Sequence, residues 1–69
     1  MDKLDLHGVK HQDVDLTVEN FVLLNQREAP LTIICGNSNK MIILVERVLK
    51  RLHCEFIMHR YGVIVVIKI

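Results

Sequence analysis

Asp5 and His7 lie two residues apart in the run Leu4-Asp5-Leu6-His7-Gly8, near the start of the chain. Alternate side chains of a β-strand point to opposite faces, so the two leucines can enter a core while Asp5 and His7 share the other surface. A carboxylate beside an imidazole can orient the ring and stabilise its charged form, which is the chemistry of a general acid or base. On this short run alone, a solvated aspartate and a histidine hydrogen-bonded to the turn at Gly8 are the simpler interpretation.

A second polar stretch follows the apolar run Leu31-Thr32-Ile33-Ile34-Cys35 and precedes a helical pattern. The free N–H groups and the dipole at the start of a helix attract anions, and a glycine permits close approach of a phosphate. The residues predicted to hold a phosphate here are Gly36, Asn37, Ser38, Asn39 and Lys40. Ordinary helix capping, with Lys40 in solvent, explains the same residues without a ligand.

Two helical patterns separate the strand-like runs. Asp13 is a candidate N-cap of the first helix, and Ala29-Pro30 is its predicted end, because the residue before a proline avoids the helical conformation. The residues predicted to face inward from the first helix are Val14, Val18, Phe21, Val22 and Leu24. Those predicted to face inward from the second helix are Met41, Ile42, Val45, Val48, Leu49 and Leu52. Residues 55–60 and 63–69 are predicted as two further strands, joined by a turn at Tyr61-Gly62.

The order of elements predicts a βαβαββ fold, an α/β (α+β) two-layer sandwich with a mixed four-stranded sheet. Two βα units joined by short connections imply that the first two strands are parallel, with right-handed crossovers. Both helices then cover one face of the sheet and leave the other face open. Ligands of open α/β sheets bind at the carboxyl ends of parallel strands, so Asp5 and His7 are expected to lie near the glycine loop. Further phosphate contacts predicted at this edge are Gly8, Lys10 and His11.

Length and composition limit the classes of function that this chain can have. A chain of 69 residues is expected to form one domain, residues 1–69. The net charge of +1, with one Tyr and two Phe, gives neither a strongly basic surface nor a base-stacking platform. Two cysteines do not make a disulfide framework, and neither a signal-peptide pattern nor a membrane-length apolar run is present. We therefore expect a cytoplasmic protein that is not bound to a membrane.

The four histidines and two cysteines raise the question of a metal site. His7 and His11 straddle a loop rather than one helical turn, and no pair has zinc-finger spacing. We therefore predict no bound metal and no other cofactor, although a divalent cation is compatible with a phosphate site. Cys35 would need a base and a lowered pKa to act as a nucleophile, so a small buried residue at the end of a strand is the preferred interpretation.

Three segments resemble the small MutS-related domain family, usually called Smr domains. Residues 4–8 are similar to the family's opening Leu-Asp-x-His-Gly motif. Residues 33–38, with the amphipathic helix that follows, are similar to its strand–glycine loop–helix motif, and residues 62–66 resemble its closing strand. The resemblance runs from about Leu4 to the end of the chain, in the right order and spacing. The family fold is a βαβαββ sandwich similar to the carboxyl-terminal domain of a bacterial translation initiation factor.

The resemblance implies nucleic-acid binding and, as in many members of the family, endonuclease activity on DNA or RNA. The family's aspartate and histidine fall on Asp5 and His7. Its glycine loop often reads His-Gly-x-Gly with a basic residue between the glycines. This chain instead has Cys35, Asn37 and Ser38 at the histidine, basic and second glycine positions. Backbone donors survive these differences but the side-chain charge does not, so a non-catalytic interaction domain that keeps the fold is the alternative.

Apolar residues outside the predicted core indicate a protein partner. The hydrophobic fraction of 51% is high for so short a chain. Leu16 and Leu23 lie nearly opposite the inward stripe of the first helix, and both alternating sets of side chains in residues 63–69 are apolar. A two-layer sandwich covers only one face of its sheet. We therefore expect a homodimer, or docking onto a larger protein, through the open sheet face or the Leu16–Leu23 strip.

Overall fold

The computed structural model describes residues 2–69, which form one four-stranded mixed sheet and two α-helices. The strands are β1 (Lys3–Asp5), β2 (Leu31–Ile34), β3 (Glu55–Arg60) and β4 (Val63–Lys68). The helices are α1 (Val14–Leu24) and α2 (Asn39–Arg51), and neither has the length and apolar character needed to cross a membrane. The sheet order is β1-β2-β4-β3, with β1 parallel to β2 and the other neighbours antiparallel. The predicted βαβαββ arrangement is confirmed.

The core lies between the helices and one face of the sheet. Leu31 and Ile33 of β2, with Ile64 and Val66 of β4, have 0% relative exposure, whereas the residues between them remain partly accessible. Because burial alternates with the period of a strand, one sheet face is covered and the other is open, as predicted. The α2 side chains predicted to face inward are buried, apart from the half-buried Leu52.

The apolar stripe of α1 differs from the prediction at one position. Val14, Val18, Phe21 and Val22 are buried, but Leu24 is 82% exposed, so its assignment to the core is wrong. At about 100° per residue, Leu24 lies roughly 100° from the centre of the buried stripe. Leu16 and Leu23, predicted to lie on the outer side, are 65% and 44% exposed.

The carboxyl end of α1 comes earlier than the predicted end at Ala29-Pro30. Asn25 ends the helix because its side-chain Nδ2 donates to the Phe21 carbonyl at 2.7 Å, which satisfies an acceptor of the last turn. A 3-10 turn, Gln26–Glu28, then occupies the residues before the proline. The local polar bond of Asn25 therefore stops the helix before the backbone restriction imposed by the proline can act.

The amino end of α1 has the predicted N-cap residue, but the capping hydrogen bond to its side chain is not formed. Asp13 occupies the N-cap position, but its backbone is helical and its side chain makes no capping hydrogen bond. It also ends a 3-10 turn, His11–Asp13. The carboxylates of Asp13 and Asp15 still lie near the positive end of the helix dipole.

Both ends of α2 are closed by local hydrogen bonds. Ser38 is the N-cap, and its Oγ accepts from the Met41 N–H at 3.1 Å. At the other end, the Cys54 N–H donates to the Leu49 carbonyl at 2.9 Å and the His53 N–H donates to the Lys50 carbonyl at 3.1 Å. His53 has a φ of 59° and is the one non-glycine residue in the described chain with positive φ. This is a Schellman-type helix end, in which glycine usually occupies the left-handed position.

We expect His53→Gly to stabilise the fold by about 1 kcal/mol, because glycine adopts the left-handed conformation without the Cβ strain that His53 carries. The free energy of unfolding from urea titration measures the change. Lys50→Gly, at an exposed helical position of α2, is the control and should destabilise the protein. A loss of stability in the His53 variant would contradict this account of the helix end.

Candidate functional site

The carboxyl ends of β1 and β2 meet at one edge of the sheet, beside a depression of about 210 Å³. It is lined by Asp5, His7, Ile34, Cys35 and Gly36. The structure therefore brings the Asp–His pair and the first residue of the glycine loop together, although 28 sequence positions separate His7 from Cys35. Asp5 and His7 are both exposed, so a ligand can reach either side chain.

The carboxylate of Asp5 contacts the backbone of the turn that carries His7. Its Oδ1 accepts from the His7 backbone N–H at 2.9 Å. The expected bond from Asp5 to the imidazole ring is not among the hydrogen bonds of residues 2–69. The Leu6 N–H donates to the Ile34 carbonyl at 2.9 Å, which ties the end of β1 to β2. Asp5 thus positions the histidine through the main chain, and the ring is left to meet a ligand.

The glycine loop presents the start of α2 to solvent. The hydroxyl oxygen of Ser38 caps the Met41 N–H, and its hydroxyl hydrogen remains a donor. The first N–H groups of a helix have no partner within the helix, so those of Asn39 and Lys40 point outward from the same end. Asn37, Asn39 and Lys40 are exposed. The loop can therefore offer backbone donors and one ammonium group to an anion.

The turn between β3 and β4 supports this loop from the side. The Cys35 N–H donates to the carbonyl of Gly62 at 2.7 Å, and Gly62 is buried with a φ of 82°. A Cβ atom at Gly62 would overlap the backbone carbonyl of Gly36. The sequence pattern identifies Gly62 only as a turn residue. Its contact with the glycine loop depends on the tertiary fold, so no local signal could have revealed it.

Cys35 is unsuited to nucleophilic chemistry at this edge. It is buried at the end of β2, and burial raises the pKa of its thiol to about 11, with the nearby negative charge of Glu46 as a smaller contribution. Burial also raises the pKa of the Cys54 thiol. A thiol with a pKa near 11 is almost entirely protonated at neutral pH, and the thiolate is the reactive form. Cys35 therefore has a structural role, as one of the residues that line the depression.

Other predicted contacts lie outside the depression. Gly8 and Lys10 line a separate, shallow depression of about 520 Å³ with Leu16. His11 begins the 3-10 turn before α1, and residues 37–40 follow Gly36 in the chain but do not line the depression. The predicted set is therefore split into a centre at Asp5, His7 and Gly36 with flanking positions on both sides. Within residues 2–69, no group of three or more His, Cys, Asp or Glu side chains is placed to hold a metal ion.

Comparisons with protein-family models, with curated proteins and with solved structures found no match to this chain.

Proposed function

We propose that this chain binds nucleic acid where β1 and β2 end and cleaves RNA there, as an endonuclease of the Smr type. The observation that supports the proposal is the depression that Asp5, His7 and Gly36 share, with the capped start of α2 beside it. Imidazole is the side chain best suited to exchange a proton near neutral pH. A helix start next to it favours a phosphate.

RNA is the preferred substrate because it supplies its own nucleophile. The His7 imidazole takes the proton of a 2′-hydroxyl, and the 2′-oxygen attacks the adjacent phosphorus in line with the departing 5′-oxygen. The bond from phosphorus to the 5′-oxygen breaks, and that oxygen takes a proton from water. The products are a 2′,3′-cyclic phosphate and a 5′-hydroxyl. Backbone N–H groups at the start of α2 stabilise the negative charge on the phosphoryl oxygens.

A substrate panel tests this function. The purified chain is incubated with labelled single-stranded RNA, the same RNA carrying one 2′-deoxynucleotide, duplex DNA and branched DNA, each with magnesium or with a chelator. We expect cleavage of RNA, a cyclic phosphate end and protection at the deoxynucleotide. Cleavage of DNA would replace this mechanism with one that uses an activated water. Failure to cleave any substrate would favour the interaction domain.

Lys40 provides a test of binding that does not depend on cleavage. We expect Lys40→Glu to weaken binding of every nucleic-acid sequence, because Lys40 is an exposed cation in the first turn of α2. Loss of one phosphate contact should make the plot of log affinity against log salt shallower by about one contact, or roughly 0.7 for a single strand. Fluorescence anisotropy at several salt concentrations measures both quantities.

The matched control for Lys40 is Lys50→Glu. It makes the same change of charge on the same helix, but in the last turn, away from the glycine loop. If both variants weaken binding equally, the effect is one of net charge alone and the phosphate lies elsewhere. If neither changes the affinity or the salt slope, the start of α2 is not part of a nucleic-acid site.

A protein-interaction function is the second candidate, favoured by the apolar side chains at the surface. Leu16, Leu23 and Leu24 on α1 are exposed, and so is Ile57 on β3. Such side chains on a small domain suggest a partner that covers them, and a second copy of the chain is the simplest one. We place either function in the cytoplasm, because free thiols such as those of Cys35 and Cys54 persist in a reducing compartment.

A further inference from the structure

The open face of the sheet carries opposite charges at the two ends of one row of side chains. The strand registers place Asp5 beside Ile34, Ile34 beside Val63, and Val63 beside Arg60. The β3–β4 pairing is irregular between Met58 and Arg60, where β3 has one extra residue, His59, and Arg60 then lies opposite Val63. A carboxylate, two apolar side chains and a guanidinium therefore follow each other across the sheet. Asp5 lies on one edge strand and Arg60 on the other.

We propose that two copies of this chain pack through their open faces about a twofold axis parallel to the strands. Rotation about that axis keeps each row in place and exchanges its ends. Asp5 then meets Arg60 of the second copy, and Ile34 meets Val63 of the second copy. The charges are complementary twice in the same dimer, which is the property required of an isologous interface.

The next row fits the same operation. It runs Lys3, Thr32, Val65 and Ile57 in the strand registers. Ile57 is 50% exposed, and the twofold axis places it against Lys3 of the second copy. The aliphatic stem of a lysine can cover an apolar side chain while its ammonium stays in water. The pairing therefore brings no like charges of these two rows together.

The area of the open sheet face limits the affinity of the dimer. The strands are about 4.8 Å apart and rise about 3.3 Å per residue, and with three, four, six and six residues they give a face of roughly 300 Å². Two such faces bury roughly 600 Å², below the 1,200 Å² or so at which stable interfaces begin. We therefore expect a reversible dimer with a dissociation constant in the micromolar range or weaker, rather than a permanent one.

The dimer has a consequence for the candidate site, and this part rests on the proposed function. Asp5 lines the depression at the ends of β1 and β2, so its pairing brings Arg60 of the second copy to the rim of that depression. The second copy would then add a guanidinium to the one ammonium group, that of Lys40, which the glycine loop and the start of α2 offer.

A charge-exchange experiment tests the geometry. Sedimentation equilibrium is measured for the wild type, Asp5→Arg, Arg60→Asp and an equimolar mixture of the two variants. Each variant alone would oppose like charges at both pairs, and we expect its dissociation constant to rise at least about tenfold. In the mixture, both pairs join opposite charges again, so a heterodimer should form with nearly the wild-type affinity. Arg47→Asp on the exposed surface of α2 is the matched control and should leave the dimer unchanged.

Two results would overturn the proposed dimer. A wild type that stays at 8.0 kDa up to roughly 1 mM overturns it. If neither variant weakens the dimer, the two copies contact each other through another surface, such as the Leu16–Leu23 strip, and the proposal is also overturned. Asp5→Asn keeps the acceptor for the His7 N–H, so it replaces Asp5→Arg if that variant does not fold, and it should weaken the dimer several-fold. Molecular mass is the measured quantity, so loss of RNA binding with an intact dimer contradicts only the proposed function.

Discussion

His7→Ala should lower the rate of RNA cleavage by about 10²- to 10⁴-fold, the usual contribution of a general acid or base. Binding of RNA should change little, because the proposed phosphate contacts lie on the glycine loop and at the start of α2. The turn itself should survive, because Asp5 accepts from the backbone N–H of residue 7, which alanine retains. Single-turnover cleavage and anisotropy on the same RNA separate the two effects.

Two further measurements distinguish a catalytic from a structural effect of His7. His59→Ala removes another exposed histidine, on β3 at the opposite edge of the sheet, and should keep the wild-type cleavage rate. Added imidazole should restore part of the activity of the His7 variant, because a small base can occupy the space left by the side chain. Full cleavage by His7→Ala would remove His7 from the mechanism and leave the site assignment without its central residue.

The strands and helices of this fold follow from local patterns of apolar and turn residues in the sequence. Residues 55–60 form β3 as predicted. The turn at Tyr61-Gly62 separates them from the next strand and so marks where β3 ends. The apolar run predicts the strand β2, and Leu31 and Ile33 are its buried residues because only one face of the sheet is covered by the helices. The parallel pairing of β1 and β2 then follows from the connection through α1.

Apart from Leu24, which follows from helix geometry, the departures from the prediction depend on local contacts that a pattern of apolar residues does not contain. Leu24 has the residue type of the core, but its angular position at the end of α1 puts it in solvent. Asn25 stops the helix by a side-chain bond to Phe21. At the site, β1 ends at Asp5 and His7 lies in the turn that follows, so the predicted strand is too long, although both residues line one depression. The sequence pattern also cannot tell whether the carboxylate accepts from the imidazole or from the backbone N–H. The structure shows the backbone bond.

Gly62→Ala should destabilise the protein by about 3 kcal/mol, a large loss for the addition of one methyl group. Two costs combine at this position. The φ of 82° is unfavourable for any residue with a Cβ, and the added methyl would overlap the Gly36 carbonyl. The overlap involves backbone on both sides, so no side-chain rotation can relieve it. Urea titration, followed by far-ultraviolet circular dichroism, gives the free energy of unfolding.

Gly8→Ala separates the two costs, because Gly8 has nearly the same φ, 83°, and a Cβ there would meet no described atom within 4 Å. It should therefore lose only about 1 kcal/mol, from backbone strain alone. The difference between the two variants measures how firmly the β3–β4 turn holds the glycine loop against the ends of β1 and β2. Equal losses would mean that the turn yields to the methyl group. In that case the glycine loop would not be a rigid support for a phosphate, and the geometry proposed for the site would have to allow the loop to move.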